Sequence, residues 1–238
     1  MAKKVQKNKT AKQGKAQAAV RQLVDKTKTY VLAEALELVK KTSVTKFDAS
    51  VEVHLRLGID PRKGDQQIRG AVSLPHGTGK TVKVAAFVSP ENEAAVREAG
   101  ADLVGGDELI EEIRKTEKTD FQVAVAEPAL MRNLAVISKI LGTRGLMPSP
   151  KNETVTTDPA KAVTELKKGK VSFKNDDTAN LHVAIGKVSF SVEQLADNFQ
   201  ALIEIIKKNK PSAAKGTYIK SVTICSSMGP GIRVLLGQ

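Results

Sequence analysis

The sequence predicts a protein of mixed α/β and α+β class in two domains: an open α+β sandwich assembled from both chain ends, and an α/β domain inserted between them. Three observations predict it. The chain has 238 residues, and at roughly 150 residues per domain that length favours two domains or one large one. Its charge is partitioned. Residues 1–28 carry nine basic side chains and one acidic, 29–77 seven and six, 78–169 thirteen and fourteen, and 170–238 nine and five. Ends of one charge character around a neutral-to-acidic middle argue for an insertion whose flanks fold together. Finally, strand-like and helix-like segments alternate between Thr81 and Gly169, the pattern of an α/β layer domain with a mostly parallel sheet.

Composition removes several function classes. Hydrophobic residues are 41% and charged residues 27%, close to a soluble globular average and unlike a disordered or fibrous chain. No apolar run approaches the roughly 18–20 residues that span a bilayer, and the first 30 residues lack the apolar stretch of a signal peptide. A cytosolic protein with no membrane partner is expected. One cysteine, Cys225, closes no intramolecular disulfide, and three histidines (His54, His76, His182) leave too few ligands for a Cys/His zinc site. No metal, cofactor or small-molecule substrate is expected. The net charge of +12 and pI near 9.7 point instead to a polyanionic partner.

The first 20 residues hold six lysines and no acid, and with few large apolar side chains they cannot offset their own ordering entropy. Residues 1–28 are read as a flexible basic arm. From Thr29 a helical period places Val31, Leu32, Ala35, Leu36, Leu38 and Val39 on one stripe. In SVEVHLRLG, Val51, Val53, Leu55 and Leu57 alternate with Ser50, Glu52, His54 and Arg56, so one face is core and the other is wet or meets a partner. IDPRKGD is turn-rich and leads into QIRGAVSLP, expected to pair with the preceding strand as a hairpin or meander.

HGTGKT matches only the end of a phosphate loop. The first glycine of G-x-x-x-x-G-K-[ST] falls on Leu74, and TVKVAAFV follows as a strand where the motif requires a helix N-terminus. Gly77 and Gly79 are better read as a hinge, where the charge composition changes, with Gly169 closing the inserted segment. Inside it, TVKVAAFV is followed by NEAAVREAGA, ADLVGG by DELIEEIRKT, and FQVAVA by PALMRNLAVISKIL, with a last helix in PAKAVTELKK. No G-x-G-x-x-G follows the first strand, so a dinucleotide site is not expected. The loop GTRGLMPSPK, with Arg144 and Lys151, is a turn-rich surface element and a candidate anion contact.

Beyond Gly169, KVSFKN and LHVAIGKVSF read as strands. Ser191 and Gln194 form a capping-box pair before a helix with Val192, Leu195, Ala196, Phe199, Leu202, Ile203 and Ile206 on one stripe, and TYIKSVTIC is a last strand ending at the flexible turn SSMGPG. Strands with one wet face and helices on the other make the open sandwich.

GIDPRKGDQQIRGAVSLPHGTGK, ILGTRGLMPSPK, FKNDDTANLH and SSMGPG, in this order, resemble the L-one family of bacterial ribosomal proteins, which stand at the mobile stalk beside the exit site of the large subunit. The resemblance covers nearly the whole chain from about Thr29. It implies a ribosome-bound cytoplasmic protein with a split first domain (29–77 plus 170–238) and an inserted Rossmann-like α/β domain (78–169). The split domain would bind a stalk of the large-subunit rRNA. The resemblance further implies help in moving and releasing deacylated exit-site tRNA, and repression of the protein's own operon mRNA. By matching motifs the RNA surface would be Lys46, Phe47, Ser50, Glu52, Asp176, Thr178, Ser221, Ser227, Met228 and Gly229. Asp177, Thr143 and Ser226-Ser227 depart from the family's usual Lys, Pro and Thr-Thr, and the first removes a cation from the interface.

The residue types suit this chemistry independently. Hydroxyls and the Met228-Gly229 amides can meet ribose and phosphate; Phe47, just before a strand, is by position more commonly a core aromatic, yet its neighbours Lys46 and Asp48 suit a ring packed on ribose or a base. Aromatics are only 3% of the chain, too few for a platform stacking many bases, so recognition should follow the shape of a folded RNA. A nonspecific basic nucleic-acid-binding protein is the alternative, with a P-loop NTPase behind it. No Ser/His/Asp spacing or clustered carboxylates favour an enzyme.

Overall fold

The computed structural model describes residues 15–25 and 27–236. It has the two-domain α/β architecture expected, with helix α1 (Lys15–Gln22) and α2 (Leu32–Lys41) preceding strands β1 (Ser50–Leu57) and β2 (Arg69–Ser73). The inserted part contains β3 (Val84–Phe87), α3 (Glu93–Glu98), β4 (Leu103–Gly105), α4 (Asp107–Thr116), β5 (Val123–Ala126), α5 (Met131–Leu134), α6 (Ser138–Thr143) and α7 (Pro159–Lys168). The chain returns with β6 (Lys170–Lys174), β7 (Asn180–Lys187), α8 (Val192–Lys208), β8 (Ile219–Ser226) and β9 (Ile232–Val234).

Both chain ends build one sheet, in the order β7-β1-β8-β9, with every neighbouring pair antiparallel. Alternation in β1 sends Val51, Val53, Leu55 and Leu57 into a core shared with Leu181, Val183, Ile185, Val222 and Ile224, covered by α2 and α8. Each side chain of this set that is buried in full is worth roughly 1.5–3 kcal/mol, so register is fixed by the apolar face. Helix α8 starts at the capping box: Ser191 Oγ accepts from Gln194 N–H at 3.1 Å, and Gln194 Oε1 accepts from Ser191 N–H at 3.0 Å.

Two expectations are corrected here. β1 and β2 do not pair as a hairpin. β2 instead pairs antiparallel with β6 in a separate two-stranded sheet, because β1 already has β7 and β8 on its two edges. Residues 1–14 of the expected arm lie outside the described residues, but 15–22 form helix α1 rather than irregular chain. The lysine-rich window hid the anchor just beyond it: Val24 is buried in the split-domain core, Asp25 N–H donates to Tyr30 Oη at 3.1 Å, and the Asp25 carboxylate accepts from Thr27 N–H at 2.9 Å. Strand β9 was missed because its alternation, Ile232-Arg233-Val234, spans only three residues.

In the inserted part β3 lies between β4 and β5, parallel to both. All four β3 residues are buried, as in a parallel strand covered on two faces. Ala85 and Phe87 pack with Ile110, Ile113, Leu134, Ile137 and Leu141, whereas Val84 and Ala86 pack with Val96, Val163 and Leu166. The helix expected over PALMRNLAVISKIL is broken into α5, α6 and two 3₁₀ turns, Pro128–Leu130 and Ala135–Ile137. Its apolar stripe survives, since Leu134, Ile137 and Leu141 are all fully buried; the ladder tightens locally to keep them so.

The two crossings between the parts touch. Gly77, Gly79 and Gly169 have φ of +65°, +68° and +108°, backbone that side chains with a Cβ resist. A Cβ on Gly169 would collide with the Cα of Gly77. Asn198, fully buried in α8, fastens the first crossing: its Oδ1 accepts from His76 N–H at 3.1 Å, and its Nδ2 donates to Gly77 O at 3.0 Å and Ile185 O at 2.7 Å. After Thr81 the chain enters β3 rather than a helix, so the phosphate-loop geometry is not formed.

Candidate nucleic-acid interface

The face of β7-β1-β8-β9 turned away from the core carries polar side chains from end to end. Cross-strand register sets Glu52 opposite Cys225, His54 opposite both His182 and Thr223, Arg56 opposite Asn180 and Ser221, and Thr223 opposite Arg233. One end of the face is the SSMGPG turn. Ser227 N–H donates to Ser50 O at 3.0 Å and Ser50 N–H to Ser227 Oγ at 3.2 Å, which ties the turn to the start of β1. Gly229 N–H closes it on Ser226 O at 2.8 Å, and a Cβ on Gly229 would collide with Ser226 Oγ. Met228 holds a left-handed φ of +63° and points outward, 69% exposed, as does Phe47 at 64%. Neither is a core residue. Lys46 is exposed beside Phe47, and Gln17 of α1 donates to Met228 O at 3.2 Å.

The other end is the turn between β6 and β7. The Asp176 carboxylate accepts from Thr178 N–H at 2.9 Å, Thr178 Oγ1 at 2.7 Å and Asn180 N–H at 2.6 Å. Partial desolvation pushes its pKa up, but these hydrogen bonds outweigh it and hold the carboxyl well below the usual carboxylate range. Thr178 Oγ1 also accepts from Asn180 Nδ2 at 2.7 Å. Asp176 and Thr178 are therefore committed to shaping the turn. Ser221 is exposed at the start of β8. Beside it lies a depression of about 530 Å³ whose lining includes Arg56, Lys220, Ser221 and Arg233.

The ten residues thus fall in two end clusters, with Glu52 between them. Sequence reasoning left out two cations of this face, Arg56 and Arg233. Arg56 was available from the β1 alternation; Arg233 was not, because β9 was missed. Asp177 is exposed in the turn. In the inserted part Arg144 is engaged with Thr119, while Lys151 stands with Arg69 and Lys174 around a smaller depression of about 310 Å³.

Between the end clusters the face holds a chain of titratable groups. His54 Nδ1 is 2.7 Å from His182 Nδ1, His54 Nε2 is 3.1 Å from Cys225 Sγ, and His182 Nε2 is 3.6 Å from Asp176 Oδ2. Burial and the neighbouring His182 lower the His54 pKa, and burial and the Glu52 carboxylate raise that of the Cys225 thiol. One tautomer set satisfies all three contacts: Cys225 S–H donates to His54 Nε2, His54 Nδ1–H donates to His182 Nδ1, and His182 Nε2–H faces the Asp176 carboxylate.

No helix among the described residues is long and apolar enough to cross a membrane. The model of the ribosomal protein L1p/L10e family matches residues 39–230. The chain is 52% identical over 223 residues to a protein of Kosmotoga olearia named large ribosomal subunit protein uL1, covering 94% of this chain and 96% of that one. A family match over most of the length, together with a relative this similar across both the split and the inserted parts, places the chain in the ribosomal protein L1 family.

Proposed function

We propose that this chain is a structural, non-catalytic constituent of the large ribosomal subunit, ribosome-bound in the cytoplasm, and that it holds a folded stalk of the large-subunit rRNA on the polar face of β7-β1-β8-β9. The observation that carries this reading is the face itself. It is a rigid sheet surface lined by hydroxyls and by Arg56 and Arg233, with two large apolar side chains, Phe47 and Met228, exposed at one end. Such a surface suits ribose and phosphate contacts along a folded RNA, with a base or ribose packed on Phe47. In this reading the split domain is 29–77 plus 170–238 and the inserted domain 78–169, and the latter pivots at Gly77, Gly79 and Gly169. The family resemblance supports two finer roles, assisting movement and release of exit-site tRNA and repressing the protein's own operon mRNA through the same face.

Titration of folded stalk rRNA against bulk duplex DNA tests the reading. A base or ribose packed on Phe47 is worth about 1–3 kcal/mol, so Phe47→Ala should weaken stalk binding roughly 5- to 150-fold at about 1.4 kcal/mol per factor of ten. Met228→Ala should have a smaller effect in the same direction. With both side chains more than 60% exposed, melting temperatures should stay nearly unchanged. Equal affinity for stalk rRNA and duplex DNA, or wild-type affinity in Phe47→Ala, would overturn it.

A further inference from the structure

We propose that Glu52, His54 and Cys225 form a binding site for a zinc-class divalent cation, in which His54 is oriented by His182 and Asp176. The three potential ligand atoms, one from each residue, all lie within 4.8 Å of one another. His54 Nε2 is 3.1 Å from Cys225 Sγ and 4.0 Å from Glu52 Oε2. Zinc-to-ligand bonds of about 2.0–2.3 Å in a tetrahedron place such donor atoms about 3.3–3.6 Å apart, so small side-chain rotations convert the group into three corners of one.

The backbone brings these residues together without help from a flexible loop. Glu52 and Cys225 are direct cross-strand partners, and His54 is two positions along β1 on the same face. A one-residue slip of β1 would send Glu52 and His54 into the core and away from Cys225, so the core that fixes register also fixes the site. Sites on strands hold their geometry better than sites on loops.

The surrounding hydrogen bonds match what a ligating histidine needs. For Nε2 to offer its lone pair, the proton must sit on Nδ1, and His182 Nδ1 accepts it at 2.7 Å. His182 Nε2 lies 3.6 Å from Asp176 Oδ2, beyond a hydrogen bond, where the carboxylate's charge favours a proton on Nε2 and leaves Nδ1 to accept. Partners of this kind set the tautomer and raise ligand basicity. The proton balance is simple: the thiol proton shared with His54 Nε2 leaves to solvent, and the cation takes its place between sulfur and nitrogen. One thiolate and one carboxylate then balance the two positive charges, and a thiolate with an imidazole selects zinc, cobalt or copper over magnesium or calcium. Three protein ligands leave the fourth position to a water or a phosphate oxygen. Counting cysteines and histidines alone passes over this site, because one of its ligands is a carboxylate and the assembly crosses two strands far apart in the sequence.

The test uses the full chain without RNA, so that its failure is separate from any failure of the RNA reading. Cobalt(II) is titrated into reduced protein and followed by its absorption, then displaced by zinc. The expected result is one cobalt per chain with a thiolate-to-metal charge-transfer band, reversed by zinc. Cys225→Ser should lose the band, and His54→Ala should lose the high-affinity step. Loss of the orienting partner in His182→Ala should weaken affinity about 10- to 100-fold while keeping the band. Circular dichroism on each variant checks that the sheet is intact; these side chains face away from the core. Absence of the band in the wild-type chain, its persistence in Cys225→Ser, or unchanged affinity in both His54→Ala and His182→Ala would overturn the site.

Discussion

Replacing Asn198 by Leu should uncouple the first interdomain crossing from the split domain, and the size of the effect can be worked out from three hydrogen bonds. Leucine keeps the branched four-atom outline of asparagine, so no cavity opens and the loss counted here is polar; its bulkier methyls add an overpacking cost at this fully buried position. The change strands one N–H, at His76, and two carbonyls, at Gly77 and Ile185. An unsatisfied buried group costs roughly 1–3 kcal/mol, but His76 is exposed and Gly77 half-buried, so water can reach those two. Ile185 is fully buried in the strand at the sheet edge, and its carbonyl bears the full cost. The sum is about 2–4 kcal/mol, taken from the split domain alone. Hydrogen exchange followed residue by residue is the suitable assay, because two domains need not unfold as one. The His76 amide should lose most of its protection and the β1 and β8 amides should exchange faster, while the β3 and β5 amides keep wild-type rates. A variant that loses less than about 0.5 kcal/mol and keeps His76 protected would refute the view that Asn198 is the fastening. Uniform loss in both domains would refute the separation of the crossing from the inserted core.

Gly169→Ala should cost about 1–3 kcal/mol, since it adds left-handed strain to a Cβ that collides with Gly77; a denaturant melt within 0.5 kcal/mol of wild type would show that the crossings separate freely. Tyr218 supplies a pH test. Burial pushes its pKa from 10.0 up to about 12, so its share of stability is intact below pH 10 and is lost as pH rises through 12, about 3 kcal/mol at 1.36 per unit. Tyr218→Phe, which gives up the 3.1 Å hydrogen bond to Ile206 O, should flatten stability against pH in that window; an unchanged alkaline slope would contradict the assignment.

Elements with strong periodicity were legible: β1 by its strict alternation, α8 by its cap and long stripe, and α7 by the Gly169 that ends it. Their patterns follow from burial, which local sequence records directly. Pairing was less legible. Nothing within β1 or β2 says that their partners lie about a hundred residues or more away, and a turn-rich linker between two strands is equally consistent with a hairpin and with a change of sheet. The interface was half visible. Hydroxyls and glycines in the end turns could be matched to family motifs, whereas the Glu52–His54–Cys225 group exists only through registers that place Cys225 beside β1. Helix α1 was obscured for a different reason: the lysines that precede it dominate the composition of the first 20 residues, and Val24, which docks the segment, stands beyond that stretch although within the 1–28 arm read from it.

In the proposed RNA reading, the SSMGPG turn puts backbone strain and recognition in one place. A left-handed φ costs a non-glycine residue about 1–2 kcal/mol, and glycine at position 228 would avoid it. Yet the turn needs that backbone: it lets Gly229 close on Ser226 and lets Ser227 pair with Ser50, so that the end of β8 is locked to the start of β1. With both neighbours committed to the lock, position 228 alone has a side chain free to leave the surface, and there it carries 69% of its area into solvent. Phe47 does the same just before β1. With the backbone of the turn already fixed by these hydrogen bonds, binding has only the two side chains left to order. In the proposed reading, that is an economical way for a chain with 3% aromatics to grip a folded RNA by shape.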